Sequence, residues 1–211
     1  MFIGYYNLAN FITLTGLASS IVAICLAGAG HYEFAVIAML IAGVSDMFDG
    51  RVARHANRED VKAKMFGIQI DTVCDMVSFG VTPAVIAYML GCNKWYDYIL
   101  LVIYAACGAI RLAYFNMQAI TETEDLSLKT FTGVPIPTIC FVLPVLVMML
   151  KYIDPGIMVW VFRAAYLILG LLFISRVKIK KPGVAVMIGI LVICAAAIVA
   201  LLVTEPVKPM I

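Results

Sequence analysis

Charge is scarce in this chain. Only 13% of its 211 residues are Asp, Glu, Lys or Arg, while 64% are Ala, Val, Ile, Leu, Met, Phe, Trp, Tyr or Cys. The mean hydropathy of +1.04 exceeds what a solvated surface tolerates. A separate soluble domain is thereby excluded, because at about 20 apolar residues per crossing the length leaves room for six or seven helices and little else. Fifteen basic and 13 acidic residues leave a net charge of +2, too balanced and too dispersed to form a nucleic-acid surface. Histidine is nearly absent, and His31 and His55 stand at no metal-ligand spacing. Cys25, Cys74, Cys92, Cys107, Cys140 and Cys194 occur singly, without a C-x-x-C pair, which argues against a zinc or redox centre and reads as small packing residues. The first ten residues lack the basic run of a cleavable signal peptide, so the first apolar segment is expected to be retained.

What fills the chain instead is a series of apolar stretches, near Ala9–Ala29, Tyr32–Ala53, Phe66–Leu90, Tyr96–Met117, Val134–Tyr152, Ile157–Ser175 and Val184–Val203. Runs this long and continuous satisfy their backbone polar groups as helices, not as barrel strands. They predict an all-α, polytopic transmembrane helical bundle, a single integral membrane domain over residues 1–211. With the N-terminus inside, the inner connectors hold Arg54, Arg58, Lys62, Lys64, Lys129, Arg176, Lys178, Lys180 and Lys181, and the outer ones Lys94, Lys151 and Lys208. The positive-inside rule then makes Arg54–Met65 a cytoplasmic loop, able to attract anionic headgroups. Arg163, in the outer half of the sixth span, is expected to snorkel outward.

Four acids contradict the hydropathy. Asp46, Asp49, Asp71 and Asp75 lie within spans, where an unpaired carboxylate costs about 2.5 to 3.5 kcal/mol on insertion scales. Asp46 and Asp49 are three apart and Asp71 and Asp75 four apart, so each pair shares a helix face. Asp49 precedes Arg54 by five residues and Asp71 follows Phe66 by five, which puts both about 7 Å below the inner boundary at about 1.5 Å per residue. Antiparallel packing would converge all four carboxylates, and they repel unless cations intervene. Oxygen-only ligands favour two Mg²⁺ or Mn²⁺ ions, and a two-metal phosphoryl-transfer site follows. Gly50, Ala53 and Gly67 either leave room for a bulky substrate or serve close helix packing. Arg54 either meets phosphate or the acids, or anchors the span at the interface.

The run Asp46-Met-Phe-Asp49-Gly50-Arg-Val-Ala53-Arg54 followed by Gly67-Ile-Gln-Ile-Asp71-Thr-Val-Cys-Asp75 resembles the signature of the CDP-alcohol phosphotransferases, D-x-x-D-G-x-x-A-R…G-x-x-x-D-x-x-x-D. The loop between the halves is longer than the family's usual one. The resemblance implies a six-helix core, here with an additional C-terminal span, and a transfer of a phosphatidyl group from a CDP-linked lipid to an alcohol with release of CMP. It also implies that Asp46, Asp49, Asp71 and Asp75 bind two divalent cations, Mg²⁺ or Mn²⁺, and that Asp75 is the general base. Gly50, Ala53, Arg54 and Gly67 would line the CDP-lipid pocket with Asp46. Asn10-Phe-Ile-Thr13 is similar to a family segment that puts Asn10 and Thr13 in the same pocket, with Ala9 where proline is usual.

Asp75-Met-Val-Ser-Phe-Gly-Val-Thr-Pro-Ala84, Gly108-Ala-Ile-Arg-Leu-Ala-Tyr-Phe-Asn116 and Phe131-Thr-Gly-Val-Pro-Ile-Pro137 resemble the membrane-embedded phosphatidylserine synthase branch of the family. L-serine would then be the acceptor and CDP-diacylglycerol or CDP-archaeol the donor, in a homodimer whose site faces the cytoplasm. Arg111 and Asn116, charged and polar within a span, need an anionic ligand or a polar partner, such as a serine carboxylate, a substrate phosphate or one of the four acids. Ser78 either hydrogen-bonds substrate or packs between helices. Gly133, Pro135 and Pro137 either shape a lipid entrance or only start the fifth helix. Glycerol 3-phosphate or an inositol phosphate are alternative acceptors that favour a stronger basic cluster. A cation transporter is the distant alternative, but its acids would be expected nearer the midplane.

Overall fold

A computed structural model describes residues 3–55, 61–121, 130–180, 184–203 and 207–210. Helix α1 (Leu8–Gly28) starts at Asn7, whose extended backbone and side chain cap the Asn10 N–H at 2.8 Å, the usual solution for an orphan donor. It turns back at Gly30, in a left-handed conformation with φ 81°, into α2 (Tyr32–His55). Small residues let the two backbones approach: a Cβ on Gly16 would lie 3.2 Å from that of Ser45. Ala23, Ala27, Ala35, Ala38 and Ala42 are buried. Ser19 donates to the Ala38 carbonyl at 2.7 Å.

The third apolar stretch is not one regular helix. Helix α3 (Val61–Asp75) ends on Asp75, a π-helical turn covers Met76–Val81, and α4 (Thr82–Leu90) continues to the far side. Proline lacks an N–H, and its ring crowds the carbonyl four residues earlier, so Pro83 accounts for a widened turn here. Helix α5 (Trp95–Thr121) follows, then a strand β1 (Thr130–Thr132), a 3-10 turn (Ile136–Thr138) and α6 (Ile139–Met149). Helix α7 (Pro155–Ile174) is capped by Asp154, and a strand β2 (Lys178–Lys180) leads to α8 (Val184–Val203). The strands form a short antiparallel ribbon with Phe131 opposite Ile179. Helix α5 packs on α7, and α8 lies against α2 and α6. Phe79, Tyr104, Leu143, Met158, Phe162, Tyr166 and Phe173 fill the buried centre.

The fold is the expected helical membrane bundle. Leu8–Gly28, Val61–Leu90, Trp95–Gln118 and Pro155–Phe173 are long and apolar enough to cross a bilayer, and Ile136–Met149 and Val192–Val203 are shorter apolar helices. The segment after α8 reaches the end of the bundle where α2 begins and α4 finishes: Val207 N–H donates to the Glu33 carboxylate, and Met210 N–H to the Leu90 carbonyl at 2.7 Å. The ribbon before α8 sits at the opposite end, so α8 runs the length of the bundle.

Two sequence expectations are corrected. Arg163 does not snorkel freely: its Nε and Nη2 donate to Asp97 at 2.7 and 3.0 Å, and Asp97 has no exposed surface. The guanidinium lies between the Trp160 and Tyr96 rings, 4.6 and 4.8 Å from their centroids, so ion pairing and cation–π attraction hold what length alone suggested would reach the interface. Five cysteines are buried as packing residues, but Cys25 is exposed. Replacing Arg163 with Met should strand a buried carboxylate and destabilise the protein by about 3 to 5 kcal/mol. Thermal unfolding in detergent checks this, and the double variant Asp97→Leu with Arg163→Met should recover most of the loss.

Candidate metal centre

Helix periodicity puts Asp46 and Asp49 on one face of α2, and Asp71 and Asp75 on one face of α3. Carboxylate oxygens of Asp46, Asp49 and Asp71 lie within 4.8 Å of one another. The fourth acid, Asp75, lies one turn beyond Asp71 on the same face of α3, near enough to Asp46, Asp49 and Asp71 for their charges to act on one another. Carboxylates gathered this closely repel one another unless a proton or a cation lies among them. Among the described residues the ion pairs are Lys151–Glu33 and Arg163–Asp97, and neither touches this cluster.

The cluster's polar surroundings fit a cation. Asp71 Oδ1 is buried without a hydrogen-bond partner among the described residues, a state that a metal ligand explains and an idle carboxylate does not. The donor set is all oxygen, which suits Mg²⁺ or Mn²⁺. Opposite ligands of Mg²⁺ stand about 4 Å apart, so the spacing needs little adjustment. Asp49 is buried at 4% exposure, and Thr13 on α1 donates to its Oδ2 at 2.6 Å. That bond fixes the rotation of the carboxylate from behind, as outer partners do for metal ligands.

The remaining sequence-derived residues fall into distinct places. Asn10 is buried and donates to the Tyr5 carbonyl at 2.8 Å, and a Cβ on Gly67 would lie 3.5 Å from Asn10 Oδ1. The structure thus joins α1 to α3 through these two. Gly50 is exposed, and no described residue lies within 4 Å of where its Cβ would be, which fits open space beside Asp49 better than close helix packing. The side chains of Ala53 and Arg54 lie outside the described residues, as do residues 56–60 of the loop. Ser78 is buried and receives a hydrogen bond from Ser20 at 2.7 Å.

Asn116 reaches α3 between the two acids, donating to Thr72 Oγ1 at 2.6 Å. Arg111 is 6% exposed and pairs with no acid among the described residues. Its Nε donates to the Val134 carbonyl at 3.3 Å, and its guanidinium carbon stands 5.5 Å from the Phe115 ring centroid. Gly133 has φ 80°, and a Cβ there would lie 2.9 Å from the Phe173 carbonyl oxygen and 3.2 Å from Arg111 Nε, so only glycine fits. Pro135 is exposed and Pro137 half-buried, on either side of buried Ile136. Thr72 and Ser20 escaped the sequence reading, because a hydroxyl in an apolar helix has no distinguishing spacing. The bond from Thr13 to Asp49 escaped it too, although Thr13 itself did not.

Comparison with known proteins identifies the family. Residues 6–204 match the CDP-alcohol phosphatidyltransferase family, and the chain belongs to that family. It is similar to the CDP-diacylglycerol–serine O-phosphatidyltransferase of Saccharomyces cerevisiae, 35% identical over 141 residues, which are 65% of this chain and 46% of the yeast protein. The Helicobacter pylori (strain ATCC 700392 / 26695) protein of the same name is 30% identical over 177 residues, 82% of this chain and 71% of that one. The archaetidylserine synthase of Methanothermobacter thermautotrophicus is 34% identical over 134 residues, 63% of this chain and 54% of its own length. The chain thus spans about half the length of the yeast and archaeal relatives. Thr13→Val should leave the fold intact and weaken Mn²⁺ binding about 10- to 100-fold, which titration followed by the electron paramagnetic resonance of free Mn²⁺ measures.

Proposed function

We propose that this chain transfers the phosphatidyl group of a CDP-linked lipid, CDP-diacylglycerol or CDP-archaeol, to the hydroxyl of L-serine, giving the phosphatidylserine-type product and CMP. The observation that carries the reading is the group of carboxylate oxygens from Asp46, Asp49 and Asp71 within 4.8 Å of one another, on the motif of a family whose similar members are named for this reaction. In the reaction the serine oxygen forms a bond to the lipid-side phosphorus, the bond from that phosphorus to the CMP oxygen breaks, and the hydroxyl proton leaves to a base.

Asp46, Asp49, Asp71 and Asp75 are the residues that would hold two divalent cations. When bound, those cations withdraw charge from the pyrophosphate and the departing CMP. The chain's own work is positioning and proton transfer. Asp75 takes the serine proton at its carboxylate. Thr13 keeps Asp49 in one orientation, and the open side of Gly50 admits the diphosphate with Ala53 and Arg54 beside it. Arg111 and Asn116 orient the serine, and the segment through Gly133, Pro135 and Pro137 shapes the approach. An apolar groove lined by Ile12, Leu40, Val44, Phe48 and Ile198 follows α2 from Leu40 to Phe48, about 12 Å at 1.5 Å per residue, enough for much of one lipid chain.

The basic connectors support a site at the cytoplasmic face, and the family resemblance supports action as a homodimer. Serine is preferred over phosphate-bearing alcohols because Arg111 is the buried basic side chain among the described residues, whereas a phosphate calls for several. Purified protein given CDP-diacylglycerol, Mn²⁺ or Mg²⁺ and labelled serine should release CMP and form labelled phosphatidylserine. EDTA should abolish both, and glycerol 3-phosphate or inositol phosphate should not replace serine. Asp75→Asn should lower turnover about 10³-fold while CDP-lipid binding stays measurable. Full activity in that variant overturns the assignment of the base.

A further inference from the structure

Immediately after Asp75 the chain leaves α-helical geometry. In an α-helix the Phe79 carbonyl would accept from the N–H of residue 83, and residue 83 is proline, which has none. In hydrocarbon an unsatisfied carbonyl costs several kcal/mol, and neighbouring helices supply the missing donor. Here the donor is Tyr104 of α5, whose hydroxyl meets the Phe79 carbonyl at 2.7 Å, with both residues fully buried. A second tyrosine, Tyr166 of α7, donates to the Pro83 carbonyl at 2.5 Å. The two rings lie against each other, 4.8 Å between centroids. Thr82 Oγ1 adds a bond to the Val77 carbonyl at 2.9 Å, and Ser20 of α1 holds Ser78.

Beside the backbone bond from the Thr82 N–H to the Val77 carbonyl, side chains thus donate to the turn, and the donor at its centre comes from α5. The turn opens on Asp75. Relaxing an i+5 turn to i+4 removes one residue from the cycle and rotates what precedes it relative to α4, so the register of the turn sets the direction of the Asp75 carboxyl towards Asp46.

We infer that Tyr104 is a positioning residue for the reaction: its hydroxyl fills the vacancy that Pro83 creates at Phe79 and so locks the turn that aims Asp75. The inference rests on the serine-transfer reading for its kinetic arm only. Tyr104→Phe removes the hydroxyl and keeps the ring. Its expected effect is a kcat lowered about tenfold to a hundredfold, with KM for serine and for CDP-diacylglycerol unchanged and with faster amide hydrogen exchange over residues 76–82. Tyr166→Phe, which loosens a carbonyl farther from Asp75, should lower kcat less.

Pro83→Ala supplies an N–H to the Phe79 carbonyl, so Tyr104→Phe should have a smaller effect in that background than in the natural chain. If Tyr104→Phe gives no folded protein, recovery of folded protein in the double variant supports the inference and its absence overturns it. Unaltered kcat and exchange in Tyr104→Phe, equal kcat losses in the two tyrosine variants, or additive effects of Tyr104→Phe and Pro83→Ala also overturn it. Should the unmodified protein release no CMP, the reaction assignment fails, and the exchange measurement still decides whether Tyr104 holds the turn.

Discussion

An ionised carboxylate inside hydrocarbon has to be neutralised, and this molecule does it in two ways. At one end of the bundle Asp97 is fully buried and takes both nitrogens of Arg163, so the charge is cancelled within the chain and the guanidinium is held between two aromatic rings. At the other end Asp46, Asp49, Asp71 and Asp75 gather on two helices, and the ion pairs among the described residues leave them out. The first arrangement is closed and structural. The second has no basic partner among the described residues, which is the ground for proposing that a cation from outside the chain completes it.

Helix α1 carries no acid or base of its own, yet it supplies much of what fixes the cluster. Thr13 holds Asp49, Asn10 touches the Gly67 face of α3, Ser19 reaches the α2 backbone and Ser20 reaches the turn after Asp75. Four of the five polar residues on this helix thus tie both acid-bearing helices to one rod. Because α2 and α3 contact each other less than each contacts α1, the separation of the two aspartate pairs is governed through α1. Direct packing of α2 on α3 plays the smaller part.

Much of this was legible in the sequence where helical periodicity is the whole of the relevant geometry. The spacing of Asp46 with Asp49 and of Asp71 with Asp75 specifies shared faces, and equal distance from a basic loop specifies equal depth. The helical bundle followed from apolar run length for the same reason. What stayed hidden depends on partners remote in sequence. Nothing local to Arg163 announces Asp97, 66 positions away, and nothing near Arg111 announces the Val134 carbonyl, 23 positions away. The break after Asp75 was readable in principle from Pro83, but a proline near the end of an apolar run also suits an ordinary helix. The widened turn is settled by the tyrosines that meet it from α5 and α7.

Glu33 bears on how the protein is made. Its carboxylate, at the mouth of the first helical hairpin, is satisfied by Lys151 and by the backbone of Val207, which emerge from the ribosome long after α1 and α2. Until those segments are inserted, the hairpin waits in the bilayer with an acid that must stay hydrated at the lipid surface. The acid therefore gains both partners only when the segments around Lys151 and Val207 are in place, so the closing of this end of the bundle is a late step of assembly.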